Sequence, residues 1–534
     1  MKKKAVLYTP NFEKLATLAQ SLVHENWEII SAGATADFLK AQNIAVTINR
    51  ALEEPLNSND SYIKLMKMIT ENGRSIQTTA SRSEAVVSLA CLNVPPTFRK
   101  LNDFLEIDKS DNCIDFNTIN LIRAGAKNYN NVIILTDPAD YDEAIIQIKT
   151  DSVSTKFRLY LAGKALNLTS AYDATCAASI LSQSEGIRYP NYYMLPFKRT
   201  AHLRHGMNEH QTSYIYSIND QIGALSGIKK IQGKELNFNL IENCFSAWKC
   251  TSLFLKIIKN PFTVDSWDCN NYPFTTQFTP AAGSVFSIAV KNTNPIGAAL
   301  GSNLVESFKK CLSCDPSSFE GATLGCSSVV DREAAEEIIK VGLRAIIAPD
   351  FSREAKEIFS QKKDMRLLIA SKPISDNYEA RTVDGGLLVQ QPDWTIFKKW
   401  KVVTQNRPTQ IQADSMAFGM MLAMIAKSDA ALVLNDFAAV GISTGNTSRS
   451  RAIHYALDNA SEYFKNNVNS SDRNAEILVS DSVIHFDENT KSLADIGVKA
   501  IIQTGGADND AEFINFCNEH GISMVFTGIQ HLSI

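Results

Sequence analysis

No stretch of this 534-residue chain is apolar for the length that a bilayer crossing needs, so a membrane-spanning helix is not expected. Positive charge is not in excess either. Lys and Arg number 53 against 57 Asp and Glu, a formal net charge of −4, and a surface that neutralises nucleic-acid phosphates would need the opposite balance. The basic start Met1-Lys-Lys-Lys4 meets Tyr8-Thr-Pro-Asn11 after three apolar residues, too short a run for a signal peptide, so a cytoplasmic protein is expected. Paired cysteine motifs are scarce. The ten cysteines are scattered in mostly apolar contexts, and Cys311-Leu-Ser-Cys314 has no second pair, which favours free thiols over a zinc or redox site. Neither a repeat at a period of roughly 20–50 residues nor a low-complexity tract is visible.

What is present is an ordinary globular balance, 45% apolar and 21% charged, on a length that implies two or more domains. Residues 4–8 read as a strand. Phe12, Leu15, Leu18, Ala19 and Leu22 then share a helical face. Strands at 28–30 and 44–47 flank a helix through Leu39, giving a βαβαβ alternation and a parallel sheet. Ser31-Ala-Gly-Ala-Thr-Ala36, between strand and helix, suits either phosphate at a helix N-terminus or a plain tight turn. A strand at 130–136 leads into Asp137-Pro-Ala-Asp140, a helix-opening cap, and 143–182 reads as largely helical. This gives domains at 1–150 and 200–534 joined by a helical linker at 151–199.

In the second domain, Val285–Leu300 stands out. A buried strand ends at Lys291-Asn292 and breaks at Thr293-Asn294-Pro295-Ile296-Gly297, so polar groups enter a loop at a strand's carboxyl end, where open α/β sheets bind ligands. A surface lysine before an Asn-Pro turn is the plainer alternative. Leu203-Arg-His-Gly-Met-Asn-Glu-His-Gln211 gathers arginine, histidines and amides around one glycine, suited to anions and proton transfer or else to a solvated loop. Met416, Met420, Met421 and Met424 form a helical stripe read as core packing. Gly441–Arg449 is a glycine- and hydroxyl-rich loop opening a helix.

Taken together and in order, Leu203–Gln211, Val290–Gly297, Ile346–Asp350, Gly385–Gln390, Trp400–Thr404 and Met524–Gly528 resemble the bifunctional family that joins AICAR transformylase to IMP cyclohydrolase. Ser31–Ala36, Arg123–Asn128 and Leu135–Tyr141 match as well. The resemblance spans the chain and is thinnest between about residues 50 and 110. It implies an α/β protein with an N-terminal methylglyoxal-synthase-like parallel-sheet domain, followed by a transformylase domain of two cytidine-deaminase-like α/β/α halves. It further implies 10-formyltetrahydrofolate as co-substrate, AICAR as substrate, no metal, and a homodimer with no nucleic-acid or membrane partner. Residue by residue it assigns Lys291, Asn292 and His205 to the catalytic set. Arg204, Asn208, His210, Gln211, Asn294, Gly386, Lys427, Asp429 and Arg449 fall to substrate binding, and Ser31, Thr35, Arg74, Asp115 and Lys127 to the cyclohydrolase site.

The departures from the family pattern are chemical. Asn292 stands where the family has histidine, and an amide does not titrate near neutral pH, so it is no general base. His205 stands at the family's tyrosine and Gln530 at its arginine. The aromatic segment Ser-Asp-Ala-Phe-Phe-Pro-Phe is here Ser480–Phe486, and the first phosphate loop is Tyr8–Phe12. Of the family's basic segment in the cyclohydrolase half, Gly73-Arg74-Ser75-Ile76-Gln77-Thr78 remains. The expectation is formyl transfer from 10-formyltetrahydrofolate to AICAR with weakened or lost cyclisation to IMP, and His205 is the residue able to take over the missing base. The alternative is a diverged paralogue that binds purine nucleotide or folate as a sensor or scaffold.

Overall fold

The computed structural model describes residues 2–53, 60–70, 87–94, 115–182, 189–218, 223–259, 283–374, 378–467 and 476–533. Two compact units emerge, one of Met1–Arg199 with Tyr216–Gln221, the other of Thr200–Ile215 with Ile222–Ile534.

The smaller unit is built on β1 (Lys4–Tyr8), β2 (Glu28–Ser31), β3 (Thr47–Ile48), β4 (Val87–Leu92) and β5 (Ile133–Leu135), in the order β3-β2-β1-β4-β5. All pairings are parallel, as the alternation of apolar runs and helical periods requires. Among the described residues its helices are α1 (Leu15–His24), α2 (Gly33–Ala41), α3 (Asp60–Thr70), α4 (Phe116–Lys127), α5 (Tyr141–Lys149) and α6 (Thr155–Ser182). The third strand is shorter and later than the 44–47 expected from sequence. The helical stretch breaks between α5 and α6, where Asp151 adopts a positive φ of 48°. Leu161, Ala162, Ala165, Tyr172 and Cys176 of α6 are buried in the smaller unit's core.

A ribbon of β6 (Phe197–Leu203) and β7 (Ser213–Ile218) follows. The larger unit then contributes β8 (Lys229–Gln232), β9 (Val285–Lys291), β10 (Asn294–Gly301), β11 (Thr323–Cys326), β12 (Ala345–Ala348), β13 (Arg366–Ile369), β14 (Glu379–Val383) and β15 (Gly386–Gln390). It closes with β16 (Lys401–Val402), β17 (Ala431–Asn435), β18 (Ala438–Ser443), β19 (Ile477–Ser480), β20 (Ala500–Gln503) and β21 (Ser523–Phe526). Its main helices are α7 (Phe238–Lys259), α8 (Leu304–Cys314), α9 (Arg332–Ile338), α10 (Arg353–Phe359), α11 (Gln410–Ala423), α12 (Arg449–Asn466) and α13 (Asp510–Glu519).

Twelve of these strands form one sheet, β16-β21-β20-β19-β17-β18-β10-β9-β11-β12-β13-β8. The order is a duplication. An antiparallel hairpin (β9–β10 or β17–β18) leads to three parallel strands (β11–β13 or β19–β21) and an antiparallel edge strand (β8 or β16). The halves meet where Ala299 of β10 pairs antiparallel with Ala438 of β18. Helices α7 and α11 cover one face, burying Met416, Met420, Met421 and Met424 as the stripe reading expects. Helices α8, α9, α10, α12 and α13 cover the other. Alternation along β9 sends Phe286, Ile288 and Val290 to the first face and Ala289 to the second.

The same close contact appears in each half. A methyl at Gly297 of β10 would overlap the Cys311 carbonyl of α8, and one at Gly441 of β18 would overlap the Ala456 carbonyl of α12. Gly297, which reads as a turn glycine in sequence, lies in a strand and serves helix approach. Gly297→Ala and Gly441→Ala should each lower stability by about 1–3 kcal/mol through overpacking, read as a fall in the chemical-denaturation midpoint at unchanged slope. An unshifted midpoint in both variants would show that the helices move away without loss.

Candidate functional site

The expected loop after Lys291 is in fact a hairpin turn. Lys291 pairs with Asn294, and only Asn292 and Thr293 lie between them, with φ of 51° and 66°. A two-residue turn with both φ positive suits Asn at the first position but strains a β-branched residue at the second. Thr293 is held there by its neighbours. Its N–H donates to Asn243 Oδ1 at 2.7 Å and its hydroxyl to the Asn292 carbonyl at 2.6 Å. Asn243, buried on α7, is a positioning residue that sequence reading did not single out. The turn fixes where β9 ends, and there the Lys291 ammonium donates to the carbonyls of Ser318 at 3.2 Å and Glu320 at 2.9 Å. Asn292 is exposed.

Asn294 connects this hairpin to the second half: its Oδ1 accepts from Lys427 N–H at 3.1 Å. Residues 427–429 precede β17, whose Ala431 pairs with both Ser443 and Ser480. The loop after β18, the residue after β19 and Lys427–Asp429 therefore gather at one end of the sheet. Asp429 Oδ1 accepts from Arg449 Nη2 at 2.7 Å, and Arg449 Nη1 donates to the Val483 carbonyl at 3.1 Å. Ser428 donates to Asp481 Oδ2 at 2.6 Å. Burial pushes the Asp481 carboxyl up, against the Ser428 hydrogen bond and the Arg449 charge. Burial likewise raises Glu242 on α7, while the Lys427 charge lowers it. The C-terminal segment crosses this cluster. His531 N–H donates to the Asp481 carbonyl at 2.9 Å and Ser428 N–H to the Ser533 carbonyl at 2.9 Å. A cleft of about 680 Å³ opens beside Asn294, with Asp315, Thr444, Asn459, Glu462 and Asn466 among its lining. Among the described residues no lysine or arginine lines it, so their chemistry does not suit a phosphate.

Cations instead line the same sheet end on the other side of the hairpin. Arg344 N–H donates to the Ala322 carbonyl and Arg366 N–H to the Arg344 carbonyl, so Arg344 and Arg366 continue the row begun by Lys291 across β11, β12 and β13. Burial and the neighbouring charges of Arg344 and Arg204 lower the Arg366 guanidinium. Arg204 sits beyond β8, its N–H on the Leu236 carbonyl. β8 itself lies four strand spacings from β9, about 19 Å of sheet. His205 is already engaged: Nδ1 lies 2.9 Å from the Gly206 carbonyl and Nε2 3.2 Å from Asn237 Nδ2. The neutral tautomer that donates from Nδ1 satisfies both contacts. Asn208 and Gln211 close their own loop, Gln211 Oε1 accepting from Asn208 N–H at 2.8 Å; His210 is exposed. Gly386 begins a strand of the separate β14–β15 hairpin, which the structure does not join to this cluster.

In the smaller unit the expected hydroxyls are used internally. Ser31 Oγ donates to the Leu7 carbonyl at 2.6 Å. Thr35 Oγ1 donates to the Thr9 carbonyl at 2.9 Å and accepts from Thr9 N–H at 3.1 Å. Asp115 caps α4 through Thr118 N–H at 2.9 Å. Lys127 ends that helix, about 18 Å from Asp115 along the axis, so the two do not share a site within this unit. Arg74 lies outside the described residues. At the N-terminus of α2, Glu53 Oε1 fills the space that a side chain at Gly33 would take. The Tyr8 phenol is raised by burial and then by the Asp115 and Glu53 charges. Among the described residues the ends of β1 and β2 therefore face carboxylates and a phenol.

The fold and these sites define a two-unit α/β protein whose larger unit, a duplicated sheet, gathers lysine, amide, hydroxyl and carboxylate groups at one sheet end, as small-molecule enzymes do. The family model described as AICARFT/IMPCHase bienzyme matches residues 125–459. The bifunctional purine biosynthesis protein PurH of Clostridium acetobutylicum is 33% identical over 540 residues, covering 99% of both chains. The proteins of the same name from Clostridium perfringens and Brachyspira hyodysenteriae are 32% identical, over 541 and 543 residues, again with 99% of both chains covered. The chain belongs to the AICARFT/IMPCHase bienzyme family.

Asn243→Leu should leave the Thr293 N–H without its acceptor, at about 1–3 kcal/mol. Thr293→Gly in that background should recover part of the loss, because glycine removes the strain at positive φ. Denaturation midpoints of the two variants and the pair check this; a full loss retained in the pair would refute the strain account.

Proposed function

We propose that the larger unit transfers the formyl group of 10-formyltetrahydrofolate to the amine of AICAR, giving FAICAR, and that the smaller unit closes FAICAR to IMP weakly or not at all. The observation that carries the first part is Lys291. Its ammonium ends a buried strand, is aimed by a two-residue turn and is held by two carbonyls. An amine deactivated by a ring carboxamide needs a proton acceptor, and the developing oxyanion and departing nitrogen need a cation. Lys291 supplies the cation and the acid. Arg449 Nε, buried and without a hydrogen-bond partner among the described residues, is a donor left for a polar group of the co-substrate. Gln530, where the family has arginine, offers neutral hydrogen bonds only. Residue chemistry thus fits a folate with fewer charge contacts than the relatives provide. The place of Arg204 beyond β8, four strands from the β9 that carries Lys291, supports a site to which two copies contribute, as the expected homodimer would.

Cyclisation is weakened, in this reading, because the anion cradle of the smaller unit faces its own acids. Ser31 and Thr35 are bonded to backbone carbonyls, and the Glu53 carboxylate lies against the first residue of α2. Helix N-termini attract anions, so a substrate phosphate there would compete with Glu53. The engagement of both His205 nitrogens favours a second reading, a nucleotide- or folate-binding protein with little turnover, because it removes the sequence's obvious replacement base.

One assay separates these readings: purified protein with AICAR and 10-formyltetrahydrofolate, with FAICAR and IMP followed separately and ligand binding measured alongside. FAICAR should accumulate with little IMP, and Lys291→Ala should abolish FAICAR with the thermal melt unchanged. Binding without FAICAR selects the second reading; IMP formed as fast as FAICAR refutes weakened cyclisation. Glu53→Gln should raise IMP formation from added FAICAR several-fold, and an unchanged rate would remove Glu53 from the explanation.

A further inference from the structure

The proton acceptor for formyl transfer is not supplied by Asn292, and His205 is occupied. We infer that Ser428 and Asp481 form a proton relay that takes the proton of the substrate amine, an assignment that rests on the formyl-transfer reading above. Three features of the structure point to it. Asp481 is fully buried, yet one carboxylate oxygen, Oδ1, has no hydrogen-bond partner among the described residues, while Ser428 donates to the other at 2.6 Å and the Ala430 backbone N–H also lies against the carboxyl. The cation that would normally satisfy such a carboxylate is committed elsewhere: the Arg449 guanidinium bonds to Asp429 and to the Val483 carbonyl. Ser428 itself is half-buried. It lies between Lys427, whose N–H holds the Asn294 side chain of the Lys291 hairpin, and Asp429, which pairs with Arg449.

The geometry also fixes the direction of the serine proton. Ser533 N–H donates to Ser428 Oγ at 3.1 Å, and the next acceptor after Asp481, the His531 carbonyl, is at 3.4 Å, so the hydroxyl hydrogen points to Asp481. One lone pair on Oγ remains for a substrate N–H. In the step proposed, an amine N–H bond breaks and its proton joins Ser428 Oγ while the serine's original proton moves to Asp481 Oδ2. The electron pair left on nitrogen attacks the formyl carbon. The pair of the breaking C–N bond goes to the departing nitrogen, which takes a proton from the Lys291 ammonium, and the proton on Asp481 later returns through solvent to Lys291. The charges facing the Asp481 carboxyl are Arg449 from α12 and Asp429 ahead of β17, with the Ala430 backbone N–H against it as well; the His531 N–H of the C-terminal segment bonds the Asp481 backbone carbonyl instead. Burial, the largest effect, and Asp429 raise its carboxyl, and Ser428, Arg449 and the Ala430 backbone N–H lower it. A raised carboxyl is the better proton acceptor near neutral pH.

The test uses Asp481→Asn, whose amide oxygen can still accept from Ser428, and Ser428→Ala in case the first variant fails to fold. In the full-length protein without substrates, the carboxyl infrared band lost in Asp481→Asn should titrate above the ordinary carboxylate range and move in Ser428→Ala. In turnover, each variant should lower kcat on the order of a hundredfold with KM within a few-fold, and the double variant should be no slower than either single one. Because only the ionised carboxylate can accept, wild-type kcat should fall as pH drops through the titration seen in the infrared, and that limb should vanish in Asp481→Asn. Wild-type turnover with unchanged kcat in both variants, or a carboxyl titrating in the ordinary range, overturns the relay alone. A wild-type protein that forms no FAICAR overturns the formyl-transfer reading and the relay with it.

Discussion

A strand backbone in direct contact with a helix backbone is the constraint on which the larger unit depends. It occurs in both halves, at Gly297 and Gly301 beneath α8 and at Gly441 beneath α12, and only a residue without Cβ permits it. Each contact seats a helix on the second strand of a hairpin and so fixes the height of that hairpin relative to the rest of its half. The two hairpins are then close enough in shape to pair edge to edge through Ala299 and Ala438, making one sheet of twelve strands from two halves. Because that pairing is antiparallel, the carboxyl ends of β19–β21 come to the same sheet end as the amino ends of β11–β13. The cluster of Lys291, Asn294, Lys427–Asp429 and Asp481 exists only because of this reversal. Carboxyl-end loops from one half meet a hairpin tip from the other.

Buried strands and the methionine stripe were legible because burial leaves a periodic trace in one segment at a time. The turn after Lys291 was not. Asn294-Pro295 has the composition of a turn, but proline is also tolerated near the start of a strand, and here the pair opens β10. The duplication left no trace that a search for short repeats finds. Its period is far longer than solenoid repeats, and it is carried by strand order and by two glycines, not by shared sequence. The packing of residues within 151–199, expected as a helical linker, was hidden for a different reason. The apolar residues of α6 that enter the smaller unit's core are spaced for one helical face, and their number is the signal that was available.

For the candidate site, sequence showed residue types and missed their commitments. Ser31, Thr35 and Asp115 are the polar residues a ligand would need, but their hydrogen bonds go to Leu7, Thr9 and the first turn of α4. His205 is likewise held between Gly206 and Asn237. Such partners are set by folding of residues far apart or by local caps, and no spacing rule reports them. The same limitation hid useful groups. Asn243 and Arg366 have no motif around them, and Arg344, Ser428 and Asp481 lie in or beside matched segments without being singled out by them; all become recognisable only when strands from different parts of the chain align.

These commitments have a common physical form. In the smaller unit a helix N-terminus, with its partial positive charge, faces the carboxylate of Glu53. In the larger unit Arg449 faces Asp429, and Lys291 faces two backbone carbonyls. Each group that would meet an anionic or polar ligand already meets a part of its own chain. A ligand must therefore displace an internal partner as well as shed its water, and the affinity left over is the difference between two similar interactions. For Glu53 that difference is controlled by a single side chain at the edge of the site, with the backbone cradle behind it intact. A carboxylate added at the rim leaves the fold behind it untouched: β1, β2 and α2 keep their parallel pairing and helix start around Glu53.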